Sequence, residues 1–579
     1  MTLAEPYLGV GMQFDLVIRS GTVIDGSGSE AFTADVAVVR DRIVEVGAVE
    51  GRGRREIDAD GALVTPGFVD VHTHYDAQAT WDSRLQPSSG HGVTTVVAGN
   101  CGVGFAPVRP ADHDMLVELM EGVEDLPGVV LREGLPWTWE TFDEYLDTVG
   151  RRRFDIDIAT QVCHAPLRVY VMGERGANRE PATADEIEAM GRLAAAGIGA
   201  GALGFSTSRT LNHRTSRGEP TPTLTAARDE LVGIARAIGA TGHGVLQVVS
   251  DFTADGEDET LLEMMRQSGR PLSFSLLQAG AGTGYRSRLR LLERARAEGL
   301  AMRAQVAARA VGVLVGLQGS VNPLGRCPSF LAVAHLSVAE QARALSSPEA
   351  RERLASELAE HSRMARPANL FVLGDPPNYE PMPEDSVAAQ AARLGVDPLA
   401  LVVDLVLEAD GTNLLYMPFL NYSDGNLDAA AEMIAHEHTV PGLGDGGAHV
   451  GTICDGSFPT TWLTHWGRDR THGRRFDLPY LVQRHTRGTA ETVGLLDRGL
   501  VAPGYRADLN VIDFERLGLR APRFVADLPA GGRRLLQNAT GYAHTVVAGV
   551  ETYTDGVPTG DLPGRLVRGR QADPSEVPS

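Results

Sequence analysis

The sequence predicts an α/β protein: a (β/α)8 TIM-like barrel with a small β-sandwich domain formed by the N- and C-terminal segments. Three observations carry this expectation. Short apolar runs alternate with helical stretches through the middle of the 579 residues, which is the rhythm of βαβ units around a parallel sheet. Both ends have a different texture, in which apolar and polar residues alternate between Gly and Asp turn signals. The length exceeds what one ordinary domain needs, and a hydrophobic content of 43% is enough for a large core.

Residues 14–64 carry turn signals at Ser20-Gly21, Asp25-Gly26, Asp41 and Asp60-Gly61, and so predict several short antiparallel strands. Residues 501–555 repeat that texture, as in Asp508-Leu509-Asn510-Val511-Ile512-Asp513. The two ends, 1–65 and 496–570, are therefore assigned to one small domain. Residues 66–495 are assigned to the barrel, with candidate strands at 94–98, 156–162, 201–205, 245–249, 272–277, 302–306, 414–418 and 440–444 after an opening strand at 66–71. That is close to the number an eight-stranded barrel requires. Between about 307 and 400 the rhythm breaks, and this stretch is expected to be an insertion over the barrel mouth. The tail 571–579, rich in Pro, Ser and acidic residues, is expected to be disordered.

Composition narrows the function classes. A net charge of −22 argues against a nucleic-acid surface, although local arginines can still hold a small anion within a Debye length of roughly 8–10 Å. No apolar run approaches the roughly 18 residues of a membrane span, and residues 1–10 lack the basic and apolar regions of an export signal. The four cysteines are widely spaced and suggest no disulfide framework, so a cytoplasmic, reducing setting is expected. The chain contains no lysine, so all 53 basic residues are arginine. Schiff-base chemistry, a lysine general base and a carbamylated-lysine metal bridge are all excluded.

The most informative segment is Pro66-Gly67-Phe68-Val69-Asp70-Val71-His72-Thr73-His74-Tyr75-Asp76. Its apolar run reads as a strand buried on both sides, ending at the catalytic face of a barrel. Side chains two residues apart on a strand share a face, so His72 and His74 can grip one metal ion. Asn100-Cys101-Gly102 follows the 94–98 strand at the same end, and a thiolate from Cys101 is a suitable soft ligand. Asp445 ends the last candidate strand in Gly444-Asp445-Gly446-Gly447-Ala448-His449, where a carboxylate among glycines can approach metal-activated water. His449 can orient a substrate or cap the loop. Cys163-His164-Ala165-Pro166-Leu167-Arg168 closes the third strand, and Arg168 suits bidentate carboxylate binding or a structural ion pair. The loop around Asn212-His213-Arg214 follows the fourth strand and is expected to be a solvated cationic surface.

With these residues in view, the chain resembles the amidohydrolase superfamily, and within it the N-acyl-D-amino-acid deacylases (D-aminoacylases). The resemblance covers nearly the whole chain, and its most specific element is Pro-Gly-Phe-Val-Asp-x-His-x-His at 66–74. It also takes in the Gly-Asn-Cys-Gly turn at 99–102, the 164–173 stretch, Gly-Phe-Ser-Thr within 200–208 and the run at 504–509. It implies metal-dependent cleavage of a C–N bond, and Cys101 points to the deacylase branch. This sequence departs where family members carry histidines at the ends of the fifth and sixth strands: Gln247 stands at one position and Leu276-Leu277 at the other. Glutamine is a weak neutral ligand and leucine is none.

The expected centre is therefore a single Zn²⁺ on His72, His74 and Asp445, completed by Cys101 or Gln247, with Asp445 as the catalytic proton acceptor. His164, Arg168 and His449 are the expected substrate contacts, for a small molecule that can carry a carboxylate. The expected reaction is deacylation of an N-acyl-(D-)amino acid; hydrolysis of a cyclic amide, deamination, or a barrel that only binds a small molecule are the alternatives. The substrate, its chirality and the oligomeric state stay open.

Overall fold

The structure is a computed structural model that describes residues 13–280, 282–361 and 366–576. Residues 1–10, read for an export signal, and residues 577–579 of the expected tail lie outside the described residues. The first five strands are β1 (Phe14–Val23), β2 (Phe32–Val39), β3 (Arg42–Gly47), β4 (Gly53–Asp58) and β5 (Leu63–Pro66). The barrel strands are β6 (Phe68–Asp70), β7 (Val93–Ala98), β8 (Asp157–Cys163), β9 (Gly204–Arg209), β10 (Val245–Ser250), β11 (Leu272–Leu276), β12 (Met302–Val306) and, after an insertion, β16 (Thr439–Pro441). These eight form one parallel sheet in chain order. No ladder joins β16 to β6; the sheet is drawn round by a bridge between Thr73 and Gly446, just beyond the two strand ends.

Helices cover the outside of the barrel, and their sequences show why they form where they do. Ala184–Ala200 begins with a capping box, in which Thr183 accepts from the Glu186 amide and Glu186 reaches back to Thr183. Its Met190, Ala194 and Ile198 fall four residues apart and are buried together in the main core. That core also contains Phe205, Leu246, Val248 and Phe274, the outward residues of β9, β10 and β11. The alternate residues of the same strands, among them Ser206, Gln247 and Ser273, are the polar ones and face the barrel interior.

One candidate barrel strand is corrected. Residues 414–418 belong to β15 (Leu415–Leu420), which pairs antiparallel with β13 (Val311–Val315) and β14 (Phe371–Val372) outside the barrel. An apolar run does not declare which sheet it joins, and here the insertion has an apolar core of its own, including Leu324, Leu354, Val402, Val406 and Leu415. The insertion accordingly extends from the end of β12 to the start of β16, beyond the 307–400 expected from rhythm. Residues 571–576, expected in the disordered tail, are instead anchored: Asp573 accepts from Tyr505 (3.0 Å) and Arg487 (3.1 Å), and Gln571 bridges Leu495.

The terminal segments do combine. Strand β17 (Leu509–Ile512) pairs with β5 and with Tyr542–Val547, giving one nine-stranded sheet wrapped over the core of Leu16, Ile18, Val36, Val38, Val64, Val511 and Val546. A register shift between Ile18 and Gly21 bends β1, so that its first half pairs with β4 and its second half with β5. The small domain meets the barrel floor through buried ions. Asp157, the first residue of β8, accepts from Arg506 (2.9 Å) and Arg498 (3.0 Å), and Asp508 lies 3.3 Å from Arg506. All four side chains are nearly inaccessible. Replacing Asp157 by Ala leaves two buried guanidiniums short of their shared counter-charge and is expected to cost about 3–5 kcal/mol, read as a lower urea midpoint at unchanged slope; a variant as stable as the parent would remove this cluster from the stability of the fold.

Candidate metal centre

The strand that delivers the histidines is shorter than the apolar run suggests. β6 ends at Asp70, and His72 and His74 lie on the continuation that closes the barrel. There the Asp445 amide donates to the His72 carbonyl (3.0 Å) and the His74 amide donates to the Gly446 carbonyl (2.8 Å). The two rings point to one side, with centroids 5.6 Å apart. Cys101 follows β7, and its Sγ lies 3.2 Å from His72 Nε2. Among the described residues, His72, His74 and Cys101 form one buried group whose ligand atoms lie within 4.8 Å of one another. Asp445 completes the arrangement: its Oδ1 is 3.5 Å from His72 Nε2 and 3.7 Å from His74 Nε2.

Each histidine has an acceptor on the side of its other nitrogen, bonded at His72 and close by without a hydrogen bond at His74. His72 Nδ1 bonds Gln305 Oε1 on β12 at 2.6 Å, and Gln305 Nε2 donates to Ser273 on β11 at 3.0 Å. His74 Nδ1 faces Glu124 Oε1 at 3.3 Å. An acceptor behind Nδ1 leaves Nε2 as the free donor, which is how metal-binding imidazoles are oriented. Burial holds both histidines below their ordinary pKa, so they are neutral and available as ligands.

The surrounding carboxyls make the same point. Glu124, at the end of the helix His113–Glu124, is pushed well above the usual carboxylate range by burial and then by Asp445 and Asp76. Asp70 and Asp76 are each raised by burial to about 7, and the Cys101 thiol is raised by burial and then by Glu124 and Asp445. Several polar atoms here have no hydrogen-bond partner: both ring nitrogens of His74, Asp445 Oδ1, Glu124 Oε1, Asp70 Oδ2 and Asp76 Oδ2. Buried acceptors that repel one another are what a divalent cation would satisfy, and two imidazoles, a thiol and a carboxylate are a donor set suited to zinc. The residues present therefore fit a metal ion.

The other expected site residues are placed differently. His164 and Arg168 are fully buried around Glu230: His164 Nε2 lies 2.9 Å from it, and Arg168 Nη1 bonds both of its oxygens at 2.9 and 2.8 Å. Arg168 thus already has its carboxylate inside the protein. His449 borders the centre, with Nε2 3.8 Å from both Glu124 Oε2 and Asp445 Oδ2. Gln247 lies on β10 between Ser206 and Ser273, with both amide atoms unpartnered. The loop around Asn212-His213-Arg214 is largely exposed, as expected, but His213 turns inward: its Nδ1 bonds Ser208 Oγ at 2.8 Å, and burial pushes its pKa down to about 3, with His449 and His72 adding to the effect.

Glu124, Gln305 and Asp76 had no assigned role in the sequence reading. Nothing in Glu121-Gly122-Val123-Glu124 separates a buried carboxyl from a solvated helix end. A polar residue inside an apolar strand, as in Ala304-Gln305-Val306, is a usable signal for Gln305.

Comparison with known proteins bears on this geometry. A family model described as "Amidohydrolase family" matches residues 55–553. The D-aminoacylase of Alcaligenes xylosoxydans xylosoxydans is 33% identical over 230 residues, which is 40% of this chain and 43% of that protein. The match thus spans less than half the length of that relative. Two solved structures align over 96% of this chain and 100% of their own. One is a D-aminoacylase with a binuclear metal centre, characterised by one-metal activation and second-metal attenuation (26% identity, TM-score 0.62). The other is the N-acyl-D-glutamate deacylase from Bordetella bronchiseptica in complex with zinc and a phosphonate mimic of the tetrahedral intermediate (25% identity, TM-score 0.63).

The influence of Glu124 on His74 is testable. Glu124→Gln keeps the shape and weakens the acceptor, and is expected to lower zinc affinity by roughly 10–100-fold at near-parental melting temperature, measured by competition with a chromogenic chelator. Parental affinity would mean that Glu124 has no part in holding the ligand.

Proposed function

This chain belongs to the amidohydrolase family, and from that premise we propose that it hydrolyses the amide C–N bond of a small N-acylated amino acid, with the D configuration favoured. The observation that carries the reading is the convergence of His72, His74, Cys101 and Asp445 at the mouth of the barrel. The D-aminoacylase and N-acyl-D-glutamate deacylase relatives support the choice of substrate class. Because Asp445 lies within 3.7 Å of both imidazoles, the donor set is complete without Gln247.

One zinc ion held by these four residues would supply Lewis acidity at the scissile carbonyl and acidify water in the site. The rest of the chemistry belongs to the chain. Asp445 is the proton acceptor: its Oδ1 faces the two imidazoles, while Oδ2 faces His449 and so can return the proton towards the leaving amine. Gln305 holds the His72 ring in the orientation that frees Nε2, and Glu124 lies 3.3 Å from His74 Nδ1, placed to do the same. His72, His74, Cys101 and Glu124 are buried, which strengthens the electrostatics on that side, while Asp445 and His449 are partly exposed towards the mouth.

All four cysteines are buried and free, which supports a reducing, cytoplasmic setting. Among the described residues, no helix is long and apolar enough to cross a membrane.

Two measurements test the reading. Elemental analysis of purified protein is expected to give close to one zinc per chain, and two equivalents would contradict the reduced centre. A screen of N-acyl-D- and N-acyl-L-amino acids beside cyclic amides should show turnover of the D series, with Asp445→Asn at least ~10³-fold slower than the parent at parental stability. Turnover of cyclic amides alone would replace the deacylase reading.

A further inference from the structure

The far side of the barrel mouth holds an unexplained polar group. Gln247 is flanked in register by Ser206 on β9 and Ser273 on β11, and its neighbours Leu246 and Val248 face the outer core. Gln247 therefore points inward. Both flanking hydroxyls are engaged with the metal centre. Ser206 Oγ accepts from the Gly102 amide (3.0 Å) and donates to the Gly99 carbonyl (2.5 Å), which holds the Cys101 turn. Ser273 Oγ accepts from Gln305, whose Oε1 bonds His72. Gln247 thus lies between the supports of two metal ligands.

Its own Oε1 and Nε2 are nevertheless unpartnered at 1% exposure. Ser275 Oγ, two residues beyond Ser273 and in register with Gln305, is unpartnered as well. Buried amides without partners are costly to the fold, and a cluster of them beside a reaction centre is relieved by a bound group of matching polarity. The expected carboxylate contact, Arg168, is taken up by Glu230.

We propose that Gln247 and Ser275 form the subsite that reads the amino-acid half of the substrate: Gln247 Oε1 accepts the amide N–H, while Gln247 Nε2 and Ser275 Oγ donate to an oxygen of the α-carboxylate. The proposal rests on the amide-hydrolase reading above. A glutamine amide presents an acceptor and a donor along one edge. In an extended N-acylated amino acid the N–H and the carboxyl oxygen also lie on one side, as they do where antiparallel strands exchange paired bonds. The ligand class is thus an N-acylated α-amino acid, which offers both groups at once. The corresponding O-acyl hydroxy acid lacks the N–H.

The test compares the zinc-loaded parent with Gln247→Leu and Gln247→Met, both near in volume, on an N-acyl-D-amino acid and the O-acyl-D-hydroxy acid of the same side chain. The expected result is a fall of about 100-fold in kcat/KM for the amide and a drop of at least ~10-fold in the amide-to-ester ratio, at parental zinc content. An unchanged ratio would overturn the proposal, and so would loss of zinc, which would make Gln247 a metal ligand. A separate readout is titration of the zinc-free proteins with the N-acyl-D-amino acid, where the variants are expected to bind about 10-fold more weakly; equal affinity again overturns the subsite. If the parent hydrolyses no acylamino acid while this titration still separates the variants, the catalytic reading fails and the subsite stands.

Discussion

The metal centre depends on how the barrel closes. Strands β16 and β6 share no ladder, and the two ends are tied by two backbone bonds, from Asp445 N to His72 O and from His74 N to Gly446 O. Three candidate ligands therefore sit on the two segments that seal the sheet, so their spacing is set by main-chain geometry rather than by side-chain packing. The approach is tight enough to dictate composition. A side chain at Gly444 would meet Asp70 Oδ2 at 2.4 Å, and one at Gly446 would meet Ser88 Oγ at 2.3 Å. Asp445, His449 and Cys101 all adopt positive φ, a conformation non-glycine residues take at a cost that the surrounding structure must cover.

That geometry creates an electrostatic problem. Asp70, Asp76, Glu124 and Asp445 crowd around neutral imidazoles and a protonated thiol in a chain without lysine, and the buried arginines Arg168, Arg309 and Arg534 are committed to Glu230, Asp455 and Asp527. In a low-dielectric interior such carboxyls either hold protons or gather around a cation. The raised Glu124, Asp70 and Asp76 show the first response. A metal ion supplies the second, and its binding energy would add to the stability of the folded state because it acts on that state alone.

Much of this was legible in the residues. His72 and His74 were readable because a spacing of two on an extended segment has one geometric consequence, and Cys101 and Asp445 because each directly follows an apolar run that ends at the same face. The β-rich ends were readable from their alternation. The run at 414–418 misled because hydrophobicity marks a buried strand without naming its sheet, and the strand lay in an insertion with its own core. The fate of Arg168 was not readable, since its partner Glu230 comes from another βα unit. Glu124 was hidden for a related reason: a helix-end glutamate looks solvated until the loop carrying His449 folds over it.

The departures at the fifth and sixth strands then acquire a structural meaning. With Gln247 on β10 and, because Leu276 turns outward into the core, Ser275 as the inward residue at the end of β11, the mouth is divided into two chemically distinct halves. On the side of β6, β7 and the 445–449 loop are the ionic and soft donors, backed by Glu124 and Gln305. On the side of β10 and β11, the described inward residues Gln247, Ser273 and Ser275 offer a neutral amide and two hydroxyls. The one-metal reading proposed above follows from this asymmetry, since a second ion would meet only neutral oxygens from these residues. On that reading the seam of the barrel carries the metal ligands, and the opposite wall is left for neutral hydrogen bonding.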